Sequence, residues 1–562
     1  MQTIQTGHLA LRLSKLTMLL VCAVAPLCAQ ADEKAELEAL RATTLGLIKA
    51  LVDQGLLTRE RADVLLKQAS KEGAKAAASG GAPPAWGDPP VAGKAVVRVP
   101  YLSETAKLEI ESKVRDDVIA RAKTEGWATP NTIPEWVNRI KVEGDVRVRY
   151  QGDFFDPDNV PATVYNSQTD TPAWWPDAKN TTVNRHRLAL RARWGLTSQV
   201  NAQVRAAMRI STGTPNGAVS STSATMGNYS SKPTIALDRA FMRYEPSKNL
   251  SLDAGRFDSP FVKTDLTWAD DLMFDGLALT ARAEPKPGSS VFAVAGAFPL
   301  KEFENSTQDK WLFGAQMGAR LKITDGTQLS LALASYNFAN LEGVREQGPR
   351  PNPTAPYLQS EYASQIRQKG NTLININMPG AVDDKGNALA PTWGLASKFR
   401  PLVLTGVVQI DEQLPFKIHL SCEYVKNLGF NYDDIVSRAN VSGLNLQRKT
   451  TALQGRVDLF KGDLSKPGDW AAWGAMRRLE KDAWVDAFTD SSWHLGGTNY
   501  KGWALGGSYA IAPNAWLGFR WQNTRNLENG ERTVNADGTQ LDQLSSAPFK
   551  VEVIQLEINT RF

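Results

Sequence analysis

From Ile140 to the end, the sequence reads at period two as about sixteen segments, and the links between them alternate between short and long. The segments lie near residues 140–150, 184–196, 200–211, 235–245, 250–257, 276–284, 289–298, 310–323, 328–338, 400–410, 416–426, 451–460, 470–479, 502–511, 514–524 and 550–562. Most set apolar residues against polar ones, as a strand does when one face lies in a nonpolar medium. Links after the even-numbered segments are turn-like, such as Glu245-Pro246-Ser247-Lys248-Asn249, Glu284-Pro285-Lys286-Pro287-Gly288 and Ala512-Pro513. Links after the odd-numbered segments are longer, the largest being residues 151–183, 212–234, 339–399 and 525–549. A soluble sandwich has no physical reason to sort its loops in this way, whereas a barrel that crosses a bacterial outer membrane has short turns on one side and long loops on the other. The expected fold is therefore an all-β transmembrane barrel of about sixteen antiparallel strands over residues 140–562.

The last segment, Lys550 to Phe562, sets Ile554, Leu556, Ile558 and Phe562 on one face and ends on an aromatic carboxy terminus. Leu556, Ile558 and Phe562 resemble the signal by which the barrel-assembly machinery recognises its clients, although Thr560 stands where a bulkier apolar residue is usual. The alternation also says which face meets lipid. In the eighth segment Trp311, Phe313, Ala315, Met317, Ala319 and Leu321 oppose Gln316, Arg320 and Lys322. In the eleventh, Phe416, Ile418, Leu420 and Tyr424 oppose Lys417, His419, Ser421 and Glu423. In the fourteenth, Trp503, Leu505, Tyr509 and Ile511 oppose Gly502, Ala504, Gly506 and Ser508. The fifth and thirteenth segments alternate poorly, and their registers are not fixed by the pattern.

Composition excludes several classes of function. The 64 basic and 59 acidic residues nearly balance, which gives no general affinity for nucleic acid. No zinc-binding or nucleotide-binding motif is present, and no cofactor or metal is expected. Mean hydropathy is −0.31, and beyond the amino terminus no apolar run approaches the about 18 to 20 residues of a membrane helix. Residues 1–31 carry Arg12 and Lys15, an apolar stretch from Leu16 to about Leu27, and Ala29-Gln30-Ala31, a cleavable secretory signal in pattern. Its removal leaves Cys422 as the sole cysteine, so no intrachain disulfide can form, and strand parity points this thiol to lipid.

Between signal and barrel, residues 32–72 read as a helical, coiled-coil-prone segment in the periplasm, with Leu37, Leu40, Thr44, Leu47 and Leu51 on a heptad seam. So short a seam is marginal alone, and either a second helix or copies from other protomers would complete it. Residues 73–95 are a Gly/Ala/Pro linker, and 96–139 a helix and lead-in to the first strand.

The first four segments concentrate arginine on the polar face: Arg147 and Arg149; Arg187, Arg191 and Arg193; Arg205 and Arg209; Arg239 and Arg243. Strands about 4.8 Å apart would stack these into a basic, pore-lining wall unless acids interleave. Between the fifth and sixth segments, residues 258–275 hold Asp265, Asp270 and Asp271 amid Phe261, Trp268 and Phe274. The layout resembles that of general diffusion porins, in which the loop at this position folds into the barrel and narrows it. The resemblance implies that the three aspartates oppose the arginine wall across a constriction.

Arg98-Val99-Pro100-Tyr101, Pro134-Glu135-Trp136 and the run Gly144-Asp145-Val146-Arg147-Val148-Arg149-Tyr150 resemble the bacterial family called putative porin, in which a helical amino-terminal region precedes a barrel. That resemblance implies an integral outer-membrane channel for small hydrophilic solutes or ions, in contact with outer-membrane lipid. With the heptad seam it suggests a homotrimer, and the arginines suggest a bias to anions. One alternative is an anchor or adhesion protein with a plugged barrel, whose amino-terminal helices contact the cell wall. Another is a lipid hydrolase built on His419 and Ser421, but parity turns both away from lipid and no orienting Asn is identifiable. The expectation is that the chain is not an enzyme.

Overall fold

The computed structural model describes residues 139–562, apart from 164–179, 216–220, 305–306, 347–357, 383–384, 388, 412–413, 442–445, 529–532, 535–539 and 542–548. The expected signal, helical segment, linker and lead-in thus lie outside the described residues. Sixteen long strands form the wall. They are β1 (Ile140–Phe155), β2 (Arg185–Gln199), β3 (Val204–Thr212), β4 (Ile235–Ser247), β5 (Leu250–Asp258), β6 (Met273–Lys286), β7 (Ser289–Lys301) and β8 (Lys310–Lys322). They continue with β9 (Thr327–Ala339), β10 (Pro401–Ile410), β11 (Lys417–Asn427), β12 (Thr451–Lys461), β13 (Trp470–Leu479), β14 (Tyr500–Ala512), β15 (Ala515–Asn526) and β16 (Lys550–Arg561).

Each strand pairs antiparallel with the next, and β16 pairs with β1 from Asp145↔Arg561 to Phe155↔Val551, so the sheet closes and has no free edge. Closure ends on the terminal residue: the Phe562 amide donates to Gly144 O and the Gly144 amide to Phe562 O, both at 3.0 Å. A Cβ on Gly144 would stand 2.4 Å from the Phe562 ring, so the glycine makes room for the last side chain. All sixteen expected segments are strands, and the alternating turns and loops fall as the sequence implies.

The outer face is the apolar one. Leu333, Leu404, Tyr424, Leu505, Phe519 and Ile558 are exposed, as are Phe313, Met317, Leu556 and Phe562. Cys422 is exposed on the same face. The two poorly alternating strands owe their pattern to local features. In β5 the left-handed Gly255 (φ +118°) breaks the alternation near the loop, and in β13 Ala471, Ala472, Gly474 and Ala475 leave little contrast between faces.

Loops at the long end associate with one another. Leu373–Asn375 and Trp393–Leu395 pair antiparallel, and Thr533–Val534 pairs parallel with the first of them. A short helix, α1 (Tyr432–Ala439), is capped by the Asn431 side chain at its start and by left-handed Asn440 at its end.

Candidate functional site

The loop between β5 and β6 turns inward. Its two stems leave the wall at the register pair Gly255↔Gly276, both left-handed, where a Cβ would stand 2.5 Å from Ala240 O or 2.3 Å from Ala297 O. Only glycine can hold that conformation so close to a neighbouring strand. Inside the barrel, Leu266 and Trp268 are fully buried. Trp268 meets Phe274, Tyr336 and Trp484 edge-on at centroid distances of 4.9, 5.3 and 4.8 Å. Such pairs add about 0.5–1.5 kcal/mol each beyond the area they bury.

The loop is fastened to the far wall by two carboxylates. Glu423 of β11 accepts from the Thr264 amide at 2.9 Å, from Thr267 Oγ1 at 3.0 Å and from Thr405 Oγ1 at 2.9 Å. Asp265 lies 3.0 Å from Arg477 of β13 and accepts from Gln454 Nε2 at 2.7 Å and Trp493 Nε1 at 2.9 Å. Burial alone would raise the Asp265 pKa, but Arg477, Arg456 and Arg520 together with the Gln454 bond hold it well below the usual carboxylate range.

Two long loops complete the filling. Trp484, Phe488 and Trp493 between β13 and β14, and Tyr362, Trp393 and Phe399 between β9 and β10, join Trp268 in one buried apolar cluster. Tyr362 donates its hydroxyl proton to Asp486, and Thr372 donates to Asp482 through its amide at 2.9 Å and its hydroxyl at 2.7 Å. The cluster divides the described interior. A cavity of about 690 Å³ lies on one side of Trp268, with Phe274, Phe298 and Leu312 in its lining. A polar cavity of about 610 Å³ lies between the loop and the wall of β1, β2 and β15.

The polar cavity gathers Arg147, Arg149, Arg185, Arg187 and Arg191 from β1 and β2, Arg520 from β15, and Lys369. Facing them are four carboxylates, Asp153, Asp270, Asp271 and Asp490. Asp271 accepts from Thr222 through its amide at 3.3 Å and its hydroxyl at 3.0 Å; Asp270 is exposed and lies 3.4 Å from Lys263. Asp270 and Asp271 are thus on the arginine side. Asp265 is not: the sequence set all three against the β1–β4 arginines, and Asp265 instead crosses to Arg477, because β13 offers a fully buried guanidinium there.

The nine expected arginines all lie on strands β1–β4 with acids interleaved. Arg149 pairs with Glu557 at 2.5 Å, Arg187 with Asp153 at 2.8 Å, and Arg191 and Arg193 share Asp145 at 2.8 and 2.7 Å. Arg209 pairs with Asp238 at 2.7 Å, Arg239 with Asp258 at 2.6 Å and Glu143 at 2.8 Å, and Arg243 with Asp253 at 2.5 Å. Arg205 is 3.9 Å from Glu245. Arg147 donates to Ser223 Oγ at 2.7 Å and stands 3.8 Å from Glu557. Arg147, Arg149, Arg187 and Arg191 line the polar cavity, whereas Arg193, Arg205, Arg209, Arg239 and Arg243 do not.

Sequence reasoning missed Arg520, Arg456 and Arg477. Arg520 lies 5.4 Å from the ring centroids of both Trp473 and Trp493, Arg456 lies over Trp473 at 4.2 Å and Arg477 over Trp493 at 4.1 Å. Inward parity of Arg456 and Arg520 was available, but the thirteenth segment fixes no facing for Trp473 or Arg477, and nothing in the strands announces Trp493, which a loop brings in. His419 lies 3.7 Å from Asp411 and meets the Phe460 ring edge-on at 4.6 Å, and among the described residues no hydrogen bond joins His419 to Ser421. Residues two apart on one face of a strand stand roughly 6–7 Å apart, beyond proton-transfer reach.

A family model described as putative porin matches residues 41–562. No curated protein matches the chain. Among solved structures, the outer membrane channel DcaP of Acinetobacter baumannii is similar at 10% identity and a TM-score of 0.37, covering 75% of this chain and 97% of that one. OprB of Pseudomonas putida is similar at 10% identity and a TM-score of 0.41, covering 77% and 97%. OmpF of Salmonella typhi, solved with daunomycin, is similar at 10% identity and a TM-score of 0.36, covering 75% and 97%.

Proposed function

Because the chain belongs to the putative porin family of outer-membrane channels, we propose that it conducts small hydrophilic solutes or ions passively through the arginine-lined cavity, with a bias to anions. The observation that carries this reading is the uneven charge of that cavity, where seven cationic side chains face four carboxylates. Most wall arginines are compensated by an acid in contact. Arg520 is not: it donates to Gln522 at 3.4 Å, and its Nε has no hydrogen-bond partner among the described residues. A charged cavity with low-dielectric walls concentrates ions of opposite sign, so the excess positive charge favours anions there.

The test is single-channel current from purified, folded protein in a planar bilayer under a potassium chloride gradient. Conductance steps with a chloride-selective reversal potential are expected, and Arg520→Gln lowers the chloride preference roughly twofold or more without closing the channel. Cation selectivity would leave the channel and remove the account of its lining. Silence from folded protein would favour the plugged anchor, a reading that the three loops packed inside the barrel keep in view.

A further inference from the structure

On four neighbouring strands the lipid-facing parity of the wall is interrupted by a row of cations. Arg478 on β13 is the register partner of Lys501 on β14, Lys501 of Arg525 on β15, and Arg525 of Lys550 on β16. Partners in an antiparallel ladder share a face, and here the face is the outer one, shared along the same strands with Met476, Leu505, Leu517 and Ile558, all exposed. Four cations therefore stand in a single row across four neighbouring strands, spanning roughly 14 Å at about 4.8 Å per strand. Like charges placed directly opposite one another destabilise a sheet, so the row calls for counter-charge.

The protein supplies it only at the two ends. Arg478 lies 3.2 Å from Glu480 and Lys550 lies 2.8 Å from Asp156. Among the described residues no carboxylate comes within ion-pair distance of the central pair, Lys501 and Arg525. Glu552, one row down, instead accepts from Trp521 Nε1 at 2.7 Å.

The position of the row completes the argument. It lies at the strand ends that lead into the long loops 480–499 and 527–549, the outer side of an outer-membrane barrel. Immediately below it Trp503 and Trp521 meet edge-on at 4.8 Å, as residues of an interfacial aromatic belt do. A depression of about 520 Å³ opens beneath the row, with Leu453, Gly455, Met476 and Trp503 in its lining, and a Cβ at Gly455 would meet nothing within 4 Å. A cationic row at this end of the strands matches the level of headgroup phosphates, and an apolar depression below it that of acyl chains.

We propose that the Arg478–Lys501–Arg525–Lys550 row is a docking surface for a phosphorylated glycolipid of the outer leaflet, its phosphates on the cations and an acyl chain in the depression over Gly455. The breadth of the row suits a headgroup with more than one phosphate. Guanidinium binds such oxygens in a bidentate way and ammonium as a point charge.

The test is native mass spectrometry of the full-length protein incubated with a bis-phosphorylated lipid A or with the same lipid stripped of phosphate. The parent should retain the phosphorylated lipid and release the stripped one. Lys501→Gln with Arg525→Gln should lower occupancy at least tenfold, while Lys501→Arg with Arg525→Lys keeps it. Inorganic phosphate in millimolar excess should not displace the lipid. Heat-modifiable gel mobility checks that each variant is folded, and single-channel conductance should be unchanged because both side chains face outward. Equal retention by the folded Gln variant, retention of the stripped lipid, or displacement by inorganic phosphate would each overturn the proposal.

Discussion

Asp490 sits in the polar cavity with its charge opposed from several sides. Burial raises its pKa most; Arg520 from β15 acts against this, and Asp265 and Asp270 of the inserted loop add to it. An acid whose folded pKa is raised destabilises the folded state above that pKa, and the penalty is relieved as pH falls through it. Protonation also removes one negative charge from the cavity. Anion preference should therefore rise as pH is lowered from neutrality, beginning above the ordinary carboxylate range, and Asp490→Asn should remove that part of the change in reversal potential. Asp265 has the opposite sign. Its depressed pKa means that its stabilising charge is fully present above the unfolded value and is lost only as pH falls through the lower folded one. Asp265→Asn would leave the fully buried Arg477 without its counter-ion, which costs on the order of 3 kcal/mol when a buried pair is broken on one side. Denaturant unfolding in detergent would read that loss, and an unchanged midpoint would deny the pair its role.

The inserted loop is the element that shapes the passage, and its anchorage is concentrated at Glu423 and Trp268. Glu423→Ala removes the acceptor of the two hydrogen bonds that tie the loop to β11, and of a third from Thr405 of β10. The expected result is a rise in open-channel noise and conductance with the wall intact; a quiet channel of parental size would mean that the apolar cluster alone holds the loop. Part of this element was legible beforehand. The aromatic and acidic mixture between β5 and β6 marked a loop that belongs inside, and the family resemblance supplied the direction. Its far-side partners were not legible, because Glu423, Gln454, Arg477 and Trp493 lie more than 150 residues away from Thr264 and Asp265 and meet them only once the sheet has curled round.

At the scale of the whole molecule, stability rests on which face of the sheet meets lipid. Met317, near the middle of β8, is 66% exposed on the apolar face. Met317→Arg should cost roughly 2–4 kcal/mol, the penalty for a cation near the bilayer midplane. Lumen-facing Ser330→Arg on β9 should cost much less, since water reaches that side. Folding yield into phospholipid vesicles, followed by heat-modifiable mobility, separates the two, and equal losses would contradict the facing.

The alternation of side chains determined the strands, their order and their outward face, because period two is a property of the extended chain itself and needs no partner to be read. Loop lengths likewise determined which end is which, since a tight turn forces neighbours to pair. Tertiary structure alone decided how the interior is divided. The sequence can list nine arginines on an inward face, but whether each is paired depends on acids such as Asp238, Asp258 and Glu557 that other strands or loop ends deliver to within 3 Å or so. It also decided that Lys501 and Arg525 stand side by side on the outer face, because register between strands is fixed by the whole closed sheet and not by any one of its segments.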